Sequence, residues 1–300
     1  MNDDIASAVY EREWQAAETA KEAGRLEEAF ERYVAAYAAA EQLDDQELLD
    51  RAFCNRAALG IALGRGEDPV PRLCTILMRN RSRSNGFLAA NTVARACELR
   101  RDYPKGLFYA RKALDHAEAV GRPEWLATAN NQIANLLLAE SYFEDAAASY
   151  RQALALIPDD RGARQLVFEA NLGYCELVLG RHKSGLELLY RCLRAALRRD
   201  WERIEMIARI DLCYGHLELG RFETAERHGR RGLELAEKIG ESDWIKNALY
   251  LLGEAAVLAG ADGRAYAWFH ELQRRYYPAQ SHLPDLLLSV DIRKLINLRA

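Results

Sequence analysis

Residues able to do covalent or metal chemistry are present in this chain, but not in working arrangements. Six histidines (His116, His182, His216, His228, His270 and His282) are scattered without the short spacings that put two imidazoles on one ion. Six cysteines (Cys54, Cys74, Cys97, Cys175, Cys192 and Cys213) sit in apolar stretches, with no Cys-x-x-Cys pair and no histidine at zinc-finger distance. That pattern fits buried, reduced thiols. Gly60, Gly64 and Gly66 cluster, but no lysine follows, and the surroundings read as a helix end and not as the strand that precedes a phosphate loop. There is no Gly-x-Ser-x-Gly and no His-Glu-x-x-His. Carboxylates are as plentiful as on any charged helical surface, and no pair stands out as an acid and base. The chain reads as a non-enzyme without cofactor or metal.

The elements that carry these residues are helical. The apolar half of the composition is dominated by alanine and leucine, and only 7 of 300 residues are proline, which favours helix over sheet. The net charge of −4 does not suggest a bulk polyanion as partner. Thirty-four arginines against seven lysines point to a GC-rich, bacterial genome. The first 25 residues lack the apolar core of a signal peptide, and no apolar run reaches the roughly 18 residues of a membrane span, so a cytoplasmic location is expected.

A phrase recurs along the chain. Gly24-Arg-Leu-Glu-Glu-Ala, Gly180-Arg-His-Lys-Ser-Gly, Gly220-Arg-Phe-Glu-Thr-Ala and Gly260-Ala-Asp-Gly-Arg-Ala each place a small residue five positions after a glycine; Arg101-Asp-Tyr-Pro-Lys-Gly and Ser141-Tyr-Phe-Glu-Asp-Ala are looser copies. Glycine there suits a helix C-terminus, where a left-handed residue lets the chain turn back. The second small residue has a partner twelve positions upstream: Ala17/Ala29, Ala94/Gly106, Ala134/Ala146, Gly173/Gly185, Cys213/Ala225 and Gly253/Ala265. Small side chains on both arms of a helical hairpin let the backbones approach, which accounts for the spacing.

With these residues in place the sequence resembles tetratricopeptide repeats. The segment 127–160 carries the family pattern most fully, in Ile133, Ala134, Leu137, Ala146, Tyr150, Ala153 and Pro158, and Asn171-Leu172-Gly173 is close to the family's Asn-Leu-Gly. The resemblance implies an all-α solenoid, a right-handed superhelix of seven hairpins in a single domain, with repeats at about 10–49, 50–86, 87–126, 127–165, 166–205, 206–245 and 246–279. Two departures stand out. Glu176 and His216 occupy an aromatic packing position, so packing there must be rearranged or partly solvated. In the second repeat Pro69 and Pro71 confine the second helix to a short one starting there, and Arg79-Asn-Arg-Ser-Arg-Ser then reads as a loose joint.

In proteins of this kind the first helix of each hairpin lines the inner surface of the superhelix. Carried onto this sequence, the lining comprises Arg51, Asn91, Arg95, Thr128, Asn131, Asn135, Tyr174, Tyr214, Asn247, Tyr250 and Glu254. A row of asparagine amides can pair with the backbone of a peptide, and tyrosine offers apolar area with a polar tip. The implied function is that of an adaptor or scaffold recognising a protein or peptide segment. The alternatives are a peptide-sensing bacterial regulator that changes curvature on binding, or a non-catalytic subunit of an enzyme complex. Nucleic acid is a poor fit, because the Arg79–Arg83 cluster is short and lacks interleaved aromatics.

Two features lie outside the repeat. Residues 1–50 carry 14 acids and 4 bases, whereas residues 51–120 carry 6 acids and 13 bases, an asymmetry that could steer a partner or simply be solvated. After Tyr276-Tyr277-Pro278, a capping helix is expected at about 284–297. Its apolar residues cover more than one stripe, so Leu287, Leu288, Ile292 and Leu295 are expected to dock on a second copy of the chain or a partner protein, or else to fold back into the chain's own groove.

Overall fold

The computed structural model of the chain describes residues 2–158, 162–293 and 295–299. Among these residues there are fifteen helices and no strand. Fourteen of the helices follow one another two by two: α1 (Asn2–Glu22) and α2 (Leu26–Ala40), α3 (Gln46–Leu63) and α4 (Val70–Arg79), α5 (Arg83–Leu99) and α6 (Tyr103–Val120), α7 (Pro123–Ala139) and α8 (Phe143–Ala155), α9 (Ala163–Val178) and α10 (His182–Arg199), α11 (Glu202–Glu218) and α12 (Phe222–Ile239), and α13 (Ser242–Leu258) and α14 (Asp262–Tyr276); α1 packs directly on α2, α5 on α6, α9 on α10, α11 on α12 and α13 on α14. The first helix of each hairpin begins three to eight residues before the repeat start read from the sequence, because the family anchors lie a turn or more inside it.

Where the repeat pattern suggests one domain, contacts divide the chain into two compact units, residues 1–136 and 137–300. In a repeat protein each hairpin touches only its neighbours, so the sequence pattern carries no mark of such a division. Within the second unit α9 packs on α11 and α11 on α13, so these three first helices form one continuous face.

The small-residue pairs do what their spacing implies. All twelve residues are buried. A β-carbon on Gly185 would stand 2.8 Å from the Gly173 carbonyl oxygen, so these two backbones are as close as glycine allows, whereas one on Gly106 would stand 3.4 Å from that of Ala94, close to ordinary contact. Gly24, Gly180, Gly220 and Gly260 take left-handed φ values of 73°, 76°, 68° and 71°. The looser copies adopt the same turn without glycine, Arg101 at φ 59° and Ser141 at φ 67°. A β-carbon disfavours that conformation. Arg101 is solvent-exposed, so Arg101→Gly is expected to raise stability by about 0.5–1 kcal/mol, relief of that strain being partly offset by the looser unfolded chain. Chemical denaturation checks it, and a midpoint below the parent's would show that the turn is not strained.

The second hairpin is short where prolines were expected to shorten it: α4 has ten residues, with Pro69 at its N-cap. The arginine-rich stretch is no loose joint. Arg83 is already the first residue of α5, Ser82 accepts a hydrogen bond from the Asn85 amide at its N-cap, and Arg79 reaches the buried Asp50 at 3.7 Å. The charge asymmetry is partly consumed inside the first unit, where Arg65 pairs with Glu31 at 3.3 Å and Arg79 with Asp50 at 3.7 Å.

The helix expected over 284–297 is α15 (Leu283–Ser289), a single short helix. Val290 turns extended at φ −133° and ψ 118°, and residues 291–293 and 295–299 have no regular secondary structure. The apolar residues read as two stripes of one helix therefore serve different surroundings. Leu287 is buried at 3% exposure, Leu288 and Ile292 are half-buried, and Leu295 is 78% exposed. Leu287 and Ile292 line a 220 Å³ cavity with Tyr250, Leu272, Ile296 and Leu298. They are thus part of the chain's own packing, and the four do not form a common outward stripe.

Candidate functional site

The segment after Val290 lies against the face made by α9, α11 and α13. Burial of aromatic and aliphatic positions orients these helices, and the polar groups left facing the segment come one or more from each. Tyr174 is on α9, Asp211, Tyr214 and Glu218 are on α11, and Trp244, Asn247, Tyr250 and Glu254 are on α13.

Leu298 is held by its backbone. Its N–H donates to the Tyr174 hydroxyl at 3.2 Å, and its carbonyl accepts from the Asn247 amide at 2.6 Å. The Asn297 amide donates to the Leu138 carbonyl at 2.6 Å and to the Ser141 hydroxyl at 3.2 Å, at the turn that follows α7. The Arg299 guanidinium donates to Asp211 at 2.5 Å and lies 4.1 Å from the Trp244 ring and 5.1 Å from that of Tyr174. Six residues earlier, Arg293 donates to Glu218 at 3.3 Å and stands 3.4 Å from Glu254, its side chain only 9% exposed.

The electrostatics follow from burial. Desolvation pushes the Asp211 carboxyl up to about 6 although Arg299 pulls the other way. Burial and then the nearby Asp291 push Glu254 up to about 7, with Arg293 opposing. Tyr214 is raised to about 12 by burial, and Tyr174 and Tyr250 are raised for the same reason, so all three hydroxyls stay protonated. The face therefore offers neutral hydrogen-bonding tips and carboxylates whose charge depends on a cation lying beside them.

Of the residues projected onto the inner lining, the five in the second unit (Tyr174, Tyr214, Asn247, Tyr250 and Glu254) come together here. The other six lie in the first unit and form no comparable cluster of contacts. Arg51 packs on Trp14 at 4.4 Å and donates to Tyr10 at 3.0 Å. Arg95 pairs with Glu98 at 2.7 Å, and Thr128 donates to the Glu124 carbonyl at 2.7 Å. Asn91, Asn131 and Asn135 are half-buried, the side-chain oxygens of the first two without a hydrogen-bond partner. The projection missed Asp211, Glu218 and Trp244. Each lies three or four residues from a residue it named, Tyr214 or Asn247, and so on the same helix face, which is the signal that would have found them.

The departures at the aromatic packing position are both buried. Glu176 accepts from Arg151 and from Arg181, the latter at 3.3 Å. His216 stacks on His228, ring centres 5.6 Å apart, and the Tyr190 hydroxyl is 2.6 Å from the His216 Nε2. All six cysteines are free thiols. Among the described residues no group of histidine, cysteine and carboxylate side chains is placed to hold a metal, and no helix is long and apolar enough to cross a membrane.

No protein-family model matches the sequence, and no curated protein matches it. The fold does have solved counterparts. A Rap protein complexed with competence and sporulation factor is similar with a TM-score of 0.74 at 12% identity, over 97% of this chain and 79% of that one. The apo form of the quorum sensor NprR from B. thuringiensis gives 0.73 at 14% identity, over 95% and 81%. A tetratricopeptide repeat protein from Parabacteroides merdae gives 0.53 at 15% identity, over 94% and 98%. Likeness at such low identity is likeness of fold, and in fold this chain is a tetratricopeptide-type array of helical hairpins.

Proposed function

We propose that this chain is a non-catalytic peptide-binding protein, an adaptor or regulator that receives a short segment of a partner on the α9–α11–α13 face. The observation that carries the reading is the grip on Leu298, whose N–H and carbonyl are both taken by side chains of the face. Hooks that hold backbone and not side chain suit recognition of a peptide as such, with specificity added by neighbouring pockets. The reading as a regulator draws support from the folds it shares, since one similar structure is a complex with competence and sporulation factor and another is described as a quorum sensor. The six free thiols, five of them buried, suit a reducing, cytoplasmic setting.

Panning displayed random peptides against the full chain tests the reading. Each lost hydrogen bond is worth about 0.5–1.5 kcal/mol, so Asn247→Ala and Tyr174→Phe should each weaken the recovered peptides by roughly 2- to 12-fold with the melting temperature nearly unchanged. Asn131→Ala with Asn135→Ala, in the first unit, serves as the comparison. Peptides indifferent to Asn247→Ala and Tyr174→Phe but weakened by the first-unit pair would move the site to α7, and no recoverable peptide would end the proposal.

A further inference from the structure

The face that the proposed function relies on is already occupied, by residues 291–293 and 295–299 of the same chain. We infer that this segment is a tethered ligand of the α9–α11–α13 face, and that the peptide displacing it is a basic one that brings two guanidinium groups to the places now held by Arg293 and Arg299. The inference rests on the peptide-binding reading and adds to it both the chemistry of the partner and a competition built into the chain.

The argument is one of charge. Asp211 and Glu254 are 3% and 2% exposed, and the cations closest to them belong to the segment: Arg299 for Asp211, Arg293 for Glu254 and Glu218. Remove the segment and the face presents three carboxylates that have lost the cations now beside them. A neutral or acidic peptide would cover them again without a counter-charge, and they would have to take up protons to be buried, which costs binding free energy at neutral pH. A peptide with arginines at matching places restores every pair, and Trp244 beside Tyr174 favours the flat guanidinium over a lysine ammonium. The backbone grip on Leu298 and the apolar contacts around it add affinity, and the arginines add the charge that the face selects.

The segment is also built to leave. Its described residues have no regular secondary structure, and its Leu295 and Ile296 are exposed. It adds no helix that would have to unfold on release. Being tethered, it competes at a high effective concentration, and an incoming peptide binds only the fraction of molecules in which it is undocked.

The test uses the full chain and a synthetic, fluorescently labelled peptide of the sequence 290–300. In Arg293→Glu/Arg299→Glu protein the tethered copy is repelled, so the free peptide should bind at least tenfold more tightly than to the parent. Arg293→Gln/Arg299→Gln provides the same comparison if the glutamates disturb folding, as circular dichroism would reveal. A peptide with citrulline in place of both arginines should bind at least tenfold more weakly, and Asp211→Asn should weaken the arginine peptide while leaving the citrulline peptide unaffected. In the parent, amide exchange at Leu298 should be slowed, and Tyr174→Phe should release it. Equal affinity of parent and glutamate variant would overturn the tethered ligand, and equal affinity of the two peptides would overturn the requirement for arginine. Both of those results would leave peptide binding itself standing, because the panned peptides would still depend on Asn247; loss of both kinds of binding would end both readings.

Discussion

Replacing Gly253 with valine is expected to lower the stability of the chain by about 2–3 kcal/mol, near the upper end of what an overpacked core usually loses. Gly253 is on α13 where α14 crosses it, and a β-carbon would stand 2.1 Å from Cε1 of Phe269, 2.5 Å from Cδ1 and 2.6 Å from Cζ. Phe269 is itself fully buried, so its ring has no solvent to move into. Alanine at position 253 meets the same atoms and should also destabilise, although alanine is worth up to about 1 kcal/mol over glycine inside a helix. The matching change one helix later has the opposite sign. Gly263, in the first turn of α14, has no atom within 4 Å of its β-carbon position, so Gly263→Ala should stabilise the same hairpin by a few tenths of a kcal/mol to about 1. Urea denaturation of the three variants decides, and a Gly253→Ala protein as stable as Gly263→Ala would show that the two helices do not cross so closely.

That contrast marks how far the sequence could be read. Gly253/Ala265 and its five companion pairs disclosed the hairpins because close backbone approach demands small residues, a constraint that repeats with the fold. The positive-φ turns were legible for the same reason. Arg101 and Ser141, which adopt the turn without glycine, could be placed only by counting from their neighbours. The five lining residues of the second unit were legible from helix position, since Tyr174, Tyr214 and Glu254 fall at equivalent turns of successive first helices and Asn247 and Tyr250 lie on the same face of α13 as Glu254.

What the sequence hid is what the last residues do. From Leu283 to Leu298 the apolar residues are dense enough to suggest one continuous helix, and helical angles then imply two stripes in need of a cover. Periodicity cannot report that Val290 turns extended, because the cause is remote. The groups that hold Asn297 and Leu298, from Leu138 to Asn247, are 51 to 159 residues away in the chain. The fold-back alternative was the one that kept those residues within the same molecule, and the segment does lie on the chain's own face. The polar partners Asp211 and Glu254 could not be distinguished from surface carboxylates until their burial was known.

His216 and His228 should make the chain sensitive to mild acid. Both rings are buried, stacked on each other with Tyr190 between their Nε2 atoms, and the Nδ1 atom of each has no hydrogen-bond partner. Desolvation is the main reason that protonation is disfavoured. The positive charges of Arg209, His216 and Arg227 add to it at His228, which is held down to about 4, and those of Arg221 and Arg227 add to it at His216, which is also lowered. The unfolded chain, with ordinary imidazoles near 6.5, therefore takes up protons that the folded chain refuses. Their contribution is fully present above about pH 6.5, declines as the pH falls, and stops declining near the folded value of about 4. Asp211 and Glu254 act in the opposite sense: their raised values favour the folded state below their ordinary carboxyl range, and that contribution is lost as the pH rises through about 6 and 7. The parent's own pH profile is thus a sum of opposed slopes, and the histidine part must be isolated by difference. A His216→Gln/His228→Gln variant keeps side chains that can hydrogen-bond to Tyr190 but cannot titrate. Between pH 7 and pH 4.5 the parent should lose about 1–2 kcal/mol more than this variant by chemical denaturation, a figure reduced from the full shift because the pair is not wholly screened from solvent. Parallel stability lines for parent and variant would mean that the rings accept protons in place, with water reaching their Nδ1 atoms, and that the stacked pair is no acid-sensitive element of this fold.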